Sequence, residues 1–346
     1  MMNTNIELSF CIPTYNNAKS LHRLVSSILE SDDSNIEVVV LDNGSTDETL
    51  SLLETIKDVR LSVYSNGINK GALFNMMNVL DKGKGQYLVY CTDHDHVDKQ
   101  KINRFRNYLV SNSKIAFGYC LYNSNTKDHI EVYNSGFESL NNLGYITRHP
   151  TGYFFKREFW KLIESVKRFS DYEYVDLFPL EFVFAELSLL GDGVIYHDSI
   201  FTPETGERVV KHKSATTKGN SKTAFFAPEC RLKLAVNFQK HIQSLSVSKK
   251  EKKVLMIHSF YRELESASFG YKEVMNNEKL CIHYHMEQRI VSKKELLTIG
   301  FHFFKGYINR CVQIEKNNVL QKIKIVFLLF SNPKRISSFL YRVILK

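Results

Sequence analysis

No stretch of this chain is long and apolar enough to cross a bilayer. The uncharged run Ile325 to Phe330 is far short of the roughly 20 residues that a spanning helix needs. Cysteine is sparse: six residues lie scattered at 11, 91, 120, 230, 281 and 311, with no pairing pattern. That spacing excludes a disulfide scaffold and points to a reducing cytoplasm. No internal repeat and no low-complexity tract is present. The net charge of +9 comes without a recognisable nucleic-acid module, so no nucleic-acid partner is expected. The first strand begins within a few residues of Met1, which leaves no room for a signal peptide before it.

What is present is a series of apolar runs that each stop at a polar cluster. Ile6 to Ile12 ends in Pro13-Thr14-Tyr15-Asn16-Asn17, and a helical pattern follows with Leu21, Leu24, Val25, Ile28 and Leu29 on one face. Ile36 to Leu41 reads as a central strand ending in Asp42-Asn43-Gly44-Ser45-Thr46-Asp47. There Ser45 or Thr46 is expected to cap a helix whose apolar face runs from Leu50 to Ile56. Arg60 to Ser65 is a third strand, Asn66 to Gly71 a turn, and Ala72 to Leu80 a helix. Tyr87 to Cys91 is a fourth strand that stops at Asp93-His94-Asp95. Alternation of strand and helix predicts an α/β fold with a mostly parallel, doubly wound sheet. Such sheets bind ligands beyond the carboxyl ends of their strands, where these clusters fall. Two carboxylates with no cation between them suit a hard divalent ion, and no Cys/His spacing of a zinc site accompanies them.

Pro13-Thr14-Tyr15-Asn16, Asp42 to Asp47, Asn69-Lys70-Gly71 and Asp93-His94-Asp95 occur in order, each at a strand end. Together they resemble the nucleotide-sugar-binding half of family 2 inverting glycosyltransferases of the GT-A (Rossmann-like) fold, over about residues 5–100. The resemblance implies that Pro13, Thr14 and Tyr15 surround the nucleoside and that Asp42 accepts a hydrogen bond from the base. A carboxylate accepting from a ring N–H suits uracil, so the donor is expected to be a UDP-sugar. Asn69, Lys70 and Gly71 would lie near the nucleotide. Asp95 would bind Mn2+ or Mg2+ bridging the diphosphate, with Asp93 nearer the ribose. His94 and His96 depart from the family pattern; they either bias the site toward Mn2+ or face solvent or the acceptor.

An inverting transfer also needs a carboxylate base. The family keeps it in a Glu-Asp pair about ten residues before a glycine that precedes another strand. Pro179-Leu180 occupies that place here, so Glu181 ranks first and Asp176 second, with a helix cap as the alternative for Asp176. The basic stretch Glu204 to Lys222 corresponds to a loop that folds over the diphosphate in relatives. His212 would complete the metal shell, and Arg208, Lys211 and Lys213 would contact phosphate. Gly136 to Tyr153 is expected to be an acceptor-side loop.

Beyond about Phe225 the pattern becomes helical and rich in aromatics and lysine. The expected domains are 1–222, a catalytic domain with its nucleotide half at 1–100 and its acceptor half with lid at 101–222, and 223–346, a helical domain. Residues 316–346 carry seven Lys or Arg and no acid among many apolar residues, a pattern suited to an anionic membrane surface. The expected function is sugar transfer to a glycan or lipid-linked glycan hydroxyl in surface polysaccharide synthesis. It would take place in the cytoplasm, at the inner face of the membrane. One rival is a sugar nucleotidyltransferase, although Pro13 to Asn17 lacks its Gly-rich basic loop. The other is a catalytically inactive binding module of the same fold.

Overall fold

The computed structural model describes residues 5–122, 124–165, 167, 177–203, 224–284, 286–314 and 319–345. The chain forms two compact units, Met1–Arg208 and Val209–Lys346. This division and the expected one at 222 both fall within residues 204–223, outside the described residues.

The first unit is built on β1 (Leu8–Thr14), β2 (Ile36–Asp42), β3 (Leu61–Ser65), β4 (Tyr87–Tyr90), β5 (Asp95–Val97), β6 (Ile115–Cys120), β7 (Asn125–Tyr133), β8 (Tyr153–Lys156), β9 (Asp192–Asp198) and β10 (Phe201–Pro203). The main sheet has the order β3-β2-β1-β4-β8-β6-β9-β7. β3, β2, β1 and β4 run parallel, β8 opposes both β4 and β6, and β7 opposes β9. The result is a mixed sheet whose nucleotide half is parallel. β2 and β4 are buried at every position, because helices cover both faces and no alternation with polar residues is needed. α1 (Ala18–Leu29) brings Leu21, Leu24, Val25 and Ile28 into the core. The core also receives Ile102, Phe105 and Leu109 from a helix over Lys99–Ser111.

Two local expectations are corrected. The helix after Asp47 spans only Thr49–Leu53, and neither Ser45 nor Thr46 caps it. Both are committed to Asn16: Ser45 Oγ accepts from its N–H at 2.8 Å, and the Thr46 N–H donates to its Oδ1 at 2.7 Å. The expected loop at 136–153 contains a helix, Phe137–Leu143.

The second unit is helical: Pro228–Ser244, Lys249–Glu265, Tyr271–Asn276, Glu278–His283, Lys293–Ile314, Val319–Phe330 and Pro333–Leu345. Phe260, Tyr261, Phe303, Tyr307, Leu329, Phe339 and Val343 share its core. Its aromatics are therefore mainly packing groups. Among the described residues, no helix is long and apolar enough to cross a membrane.

Candidate active site

The carboxyl ends of β1, β2 and β4 lie at one end of the parallel half-sheet, and their loops are tied together by hydrogen bonds. Thr14 Oγ1 donates to Asp93 Oδ2 at 2.7 Å, and Asn17 Nδ2 donates to the Asp93 carbonyl at 3.3 Å. The loop after β1 is thus fixed to the aspartate pair after β4. Asn75 pins the strand ends from below. Its Nδ2 reaches the carbonyls of Thr14 (3.3 Å) and Leu41 (2.9 Å), and its Oδ1 accepts from Asn66 (2.9 Å). Gly44 lets two loops touch: its φ is +77°, and a Cβ there would meet the Ile68 carbonyl carbon at 2.6 Å.

The expected nucleoside contacts divide. Pro13 is partly exposed, Thr14 is buried, and Tyr15 is 39% exposed. Asn69, Lys70 and Gly71 are exposed. Gly71 has φ +92° with open space where a Cβ would stand, and Lys70 Nζ lies 5.0 Å from the Phe74 ring. Asp42, expected to accept from the base, ends β2. Its carboxylate is fully buried and accepts from the Gly44 and Ser45 N–H groups and from Ser65 Oγ at 3.0–3.2 Å. These bonds make Asp42 an anchor of the turn after β2.

Asp93 and Asp95 have different surroundings. Asp93 keeps Oδ1 beside His94 Nδ1 at 3.3 Å and its side chain is 16% exposed. Asp95 is 2% exposed and is held by three hydroxyls. Tyr122 donates to Oδ1 at 2.6 Å, while Thr92 and Thr151 donate to Oδ2. Among the described residues, neither aspartate is paired with a lysine or arginine. A carboxylate has about four lone-pair directions, so three donors leave Asp95 one on Oδ1. Carboxylates that are themselves hydrogen-bonded and unneutralised fit a hard divalent cation. His96 points to solvent from β5 and is no part of this set.

Thr151 also binds the acceptor half to the donor half. Its Oγ1 accepts the Thr92 N–H at 2.9 Å, and Tyr122 stacks on His149 with ring centroids 3.9 Å apart. Asp95 pairs with Pro203 in the β5–β10 ladder, so the chain leaves the sheet beside this carboxylate and enters residues 204–223. Arg208, Lys211, His212 and Lys213 belong to that stretch and lie outside the described residues, as does Asp176.

Glu181 is in a different setting from the one expected. It sits in the first turn of Pro179–Leu187, a helix with proline at its start, and is fully buried. Arg148 Nη1 donates to both its oxygens (3.1 and 2.9 Å), Tyr153 donates to Oε1, and the Ile146 N–H donates to Oε2 at 3.3 Å. Arg148 further donates to the carbonyls of Leu143 (3.0 Å) and Ile146 (2.8 Å). Burial pushes the Glu181 carboxyl above its ordinary value, against the pull of Arg148 and of the Tyr153 hydroxyl. A raised value would suit a base, but a base must first reach the attacking hydroxyl. Through these contacts Glu181, ranked first as the base, positions the 143–148 segment.

Sequence reading did not single out Asn75, Thr92, Tyr122, Arg148 or Thr151. Thr92 stood next to the aspartates, and Asn75 is a polar residue on the sheet-facing side of its helix. The other three carry no local signal.

A parallel half-sheet with its polar loops gathered at the strand ends, an aspartate pair among them, and an antiparallel half attached beyond define a GT-A-type transferase domain. Residues 9–170 match the family model "Glycosyl transferase family 2". The chain is 30% identical over 115 residues to the UDP-Glc:alpha-D-GlcNAc-diphosphoundecaprenol beta-1,3-glucosyltransferase WfaP of Escherichia coli, covering 33% of this chain and 45% of that protein. It is 25% identical over 171 residues to a GalNAc(5)-diNAcBac-PP-undecaprenol beta-1,3-glucosyltransferase of Campylobacter jejuni, covering 48% of this chain and 55% of that protein. The chain thus spans about half the length of these relatives. Staphylococcus aureus TarS 1–349 in complex with UDP shares the fold, with TM-score 0.56, 14% identity and 90% of each chain covered.

Proposed function

We propose that this chain is a metal-assisted inverting glycosyltransferase that moves a sugar from a UDP-sugar to a hydroxyl of a lipid-linked glycan. The observation that carries this reading is the double tie of the aspartate pair. Asp93 is bound to the β1 loop through Thr14, and Asp95 to the acceptor half through Thr151. Donor and acceptor sides therefore meet at two carboxylates. Relatives named for diphosphoundecaprenol-linked substrates support the acceptor class. The UDP complex of a protein with the same fold supports the nucleotide.

In this reading Tyr15 stacks on the uracil, Pro13 and Thr14 line the ribose, and Asn69, Lys70 and Gly71 border the nucleotide. Asp93 and Asp95 hold Mn2+ or Mg2+, with His212 as a further ligand and Arg208 and Lys211 on the phosphates. When bound, the cation neutralises the charge that grows on the departing diphosphate. Thr92, Thr151 and Tyr122 hold the Asp95 carboxylate in a fixed orientation. Asp176 takes the role of base in place of Glu181. Residues 316–346 seat the protein on an anionic membrane, where such an acceptor resides. Exposed Phe327, Phe330, Leu340 and Tyr341, together with exposed Lys324 and Lys334, support that part.

The test is transfer from radiolabelled UDP-glucose and UDP-N-acetylglucosamine to a short polyprenyl-diphosphate N-acetylglucosamine, with Mn2+, for wild type and Asp176→Asn. Transfer by wild type, reduced at least about 100-fold in the variant, supports the reading, since base catalysis contributes 100-fold or more. UDP binding without transfer to any glycan acceptor would favour an inactive binding module instead.

A further inference from the structure

On the far edge of the main sheet, on β9 and β7, with β8 and β6 between them and β4, two imidazoles and a carboxylate converge. His129 and Glu131 come from the edge strand β7, and His197 from its antiparallel partner β9. Their ligand atoms all lie within 4.8 Å of one another. His197 Nε2 is 2.7 Å from Glu131 Oε1, and His129 Nε2 is 3.4 Å from the same oxygen. The two rings meet edge to face with centroids 4.0 Å apart. Tyr133 donates to the other carboxylate oxygen, Oε2, which leaves Oε1 turned toward the imidazoles. Among the described residues this is the one group of three or more such side chains close enough to share an ion.

We propose that His129, Glu131 and His197 form a zinc-class metal site, separate from the donor site, that clips the edge strand β7 to β9. Three protein ligands of the His-His-Glu type leave one position for water, a common zinc arrangement. Ligand atoms about 2.0–2.2 Å from a tetrahedral ion stand about 3.4 Å apart. The His129–Glu131 separation already has that value, and the His197–Glu131 pair needs to open by only a fraction of an ångström. The side chains of His129 and Glu131 are 51% and 38% exposed, so an ion can enter without the sheet opening. Binding puts the cation where His197 Nε2 and Glu131 Oε1 now share a hydrogen, and the ring proton of neutral His197 then resides on Nδ1. Imidazole and carboxylate together favour Zn2+ and its neighbours over Mg2+, the opposite of the oxygen-rich aspartate pair. A clip of this kind also restrains an edge strand, whose outer side carries unpaired backbone groups.

The test uses the full chain, stripped with EDTA, carrying Asp93→Asn and Asp95→Asn so that the strand-end carboxylates do not compete. Co2+ alone is titrated and its visible absorption recorded, followed by displacement with Zn2+. The expected result is one equivalent of Co2+ with an intense band of tetrahedral type, displaced by Zn2+. Adding His129→Ala or Glu131→Gln should weaken binding by about tenfold or more. Both residues are partly exposed, and Glu131→Gln retains an acceptor for Tyr133, so circular dichroism should show an unchanged fold. No Co2+ band in the stripped chain, or equal affinity with and without His129, would overturn the proposal.

Discussion

Arg148 and Glu181 show how one buried pair can organise half a site. The guanidinium holds two carbonyls of the 143–148 segment while both Glu181 oxygens receive its protons. The aromatic rings of Tyr119 and Phe184 flank it at 5.6 and 5.3 Å. Removing one partner of such a pair leaves an uncompensated buried charge, which costs about 3–5 kcal/mol. Arg148→Met is therefore expected to lower the urea midpoint sharply. Glu181→Gln should do so less, because Tyr153 and Arg148 still find an oxygen. If Glu181→Gln abolished transfer while leaving the unfolding midpoint untouched, the positioning role would be wrong and the base would lie there after all. Asn75 makes a similar case with a neutral side chain. Asn75→Ala removes two buried hydrogen bonds that set the β1 and β2 ends and a part-buried one from Asn66, and hydrogen-bond deletions in buried sites cost about 1–3 kcal/mol each. UDP affinity, measured by calorimetry, is expected to fall along with stability.

At the scale of elements, the donor half was legible and the acceptor half was not. β1, β2 and β4 are mostly apolar runs that end in polar clusters, so both their identity and the position of their loops can be read locally. The helix after Asp47 misled because Ser45 and Thr46 spend their hydrogen bonds on Asn16, across the loop, and not on the helix start. Thr151 and Tyr122 lie 56 and 27 residues from Asp95, and Glu181 lies 33 from Arg148. Only the folded sheet brings such pairs together, and no spacing rule reports them. The Thr151 tie has its own consequence. Thr151→Val keeps the shape but deletes one donor to Asp95 and one acceptor for the Thr92 N–H. Metal-dependent UDP binding should weaken about tenfold, since losing an outer partner of a metal ligand costs 10- to 100-fold. An unchanged metal dependence would show that Thr151 does not orient Asp95 for the cation.

Taken as a whole, the molecule joins a unit that matches the family 2 glycosyl transferase model to a helical unit whose C-terminal helices leave large apolar side chains exposed. Phe327 is 72% exposed and Tyr341 is 65% exposed, and both lie among basic residues without a neighbouring acid in 316–346. Binding to vesicles containing anionic lipid should therefore exceed binding to neutral vesicles. It should also decline with salt over the range where the Debye length shrinks from about 10 to 3 Å. Phe327→Asp should reduce it without unfolding the protein. Equal sedimentation with neutral and anionic vesicles would remove the electrostatic part of that account. The central claim is narrower, and one titration tests it most directly. UDP is titrated calorimetrically into EDTA-treated protein, with and without Mn2+, for wild type and Asp95→Ala. The account predicts binding that is strengthened by Mn2+ in wild type and loses that dependence in Asp95→Ala. Binding of UDP with equal affinity in all four conditions would contradict it, and so would no binding in any.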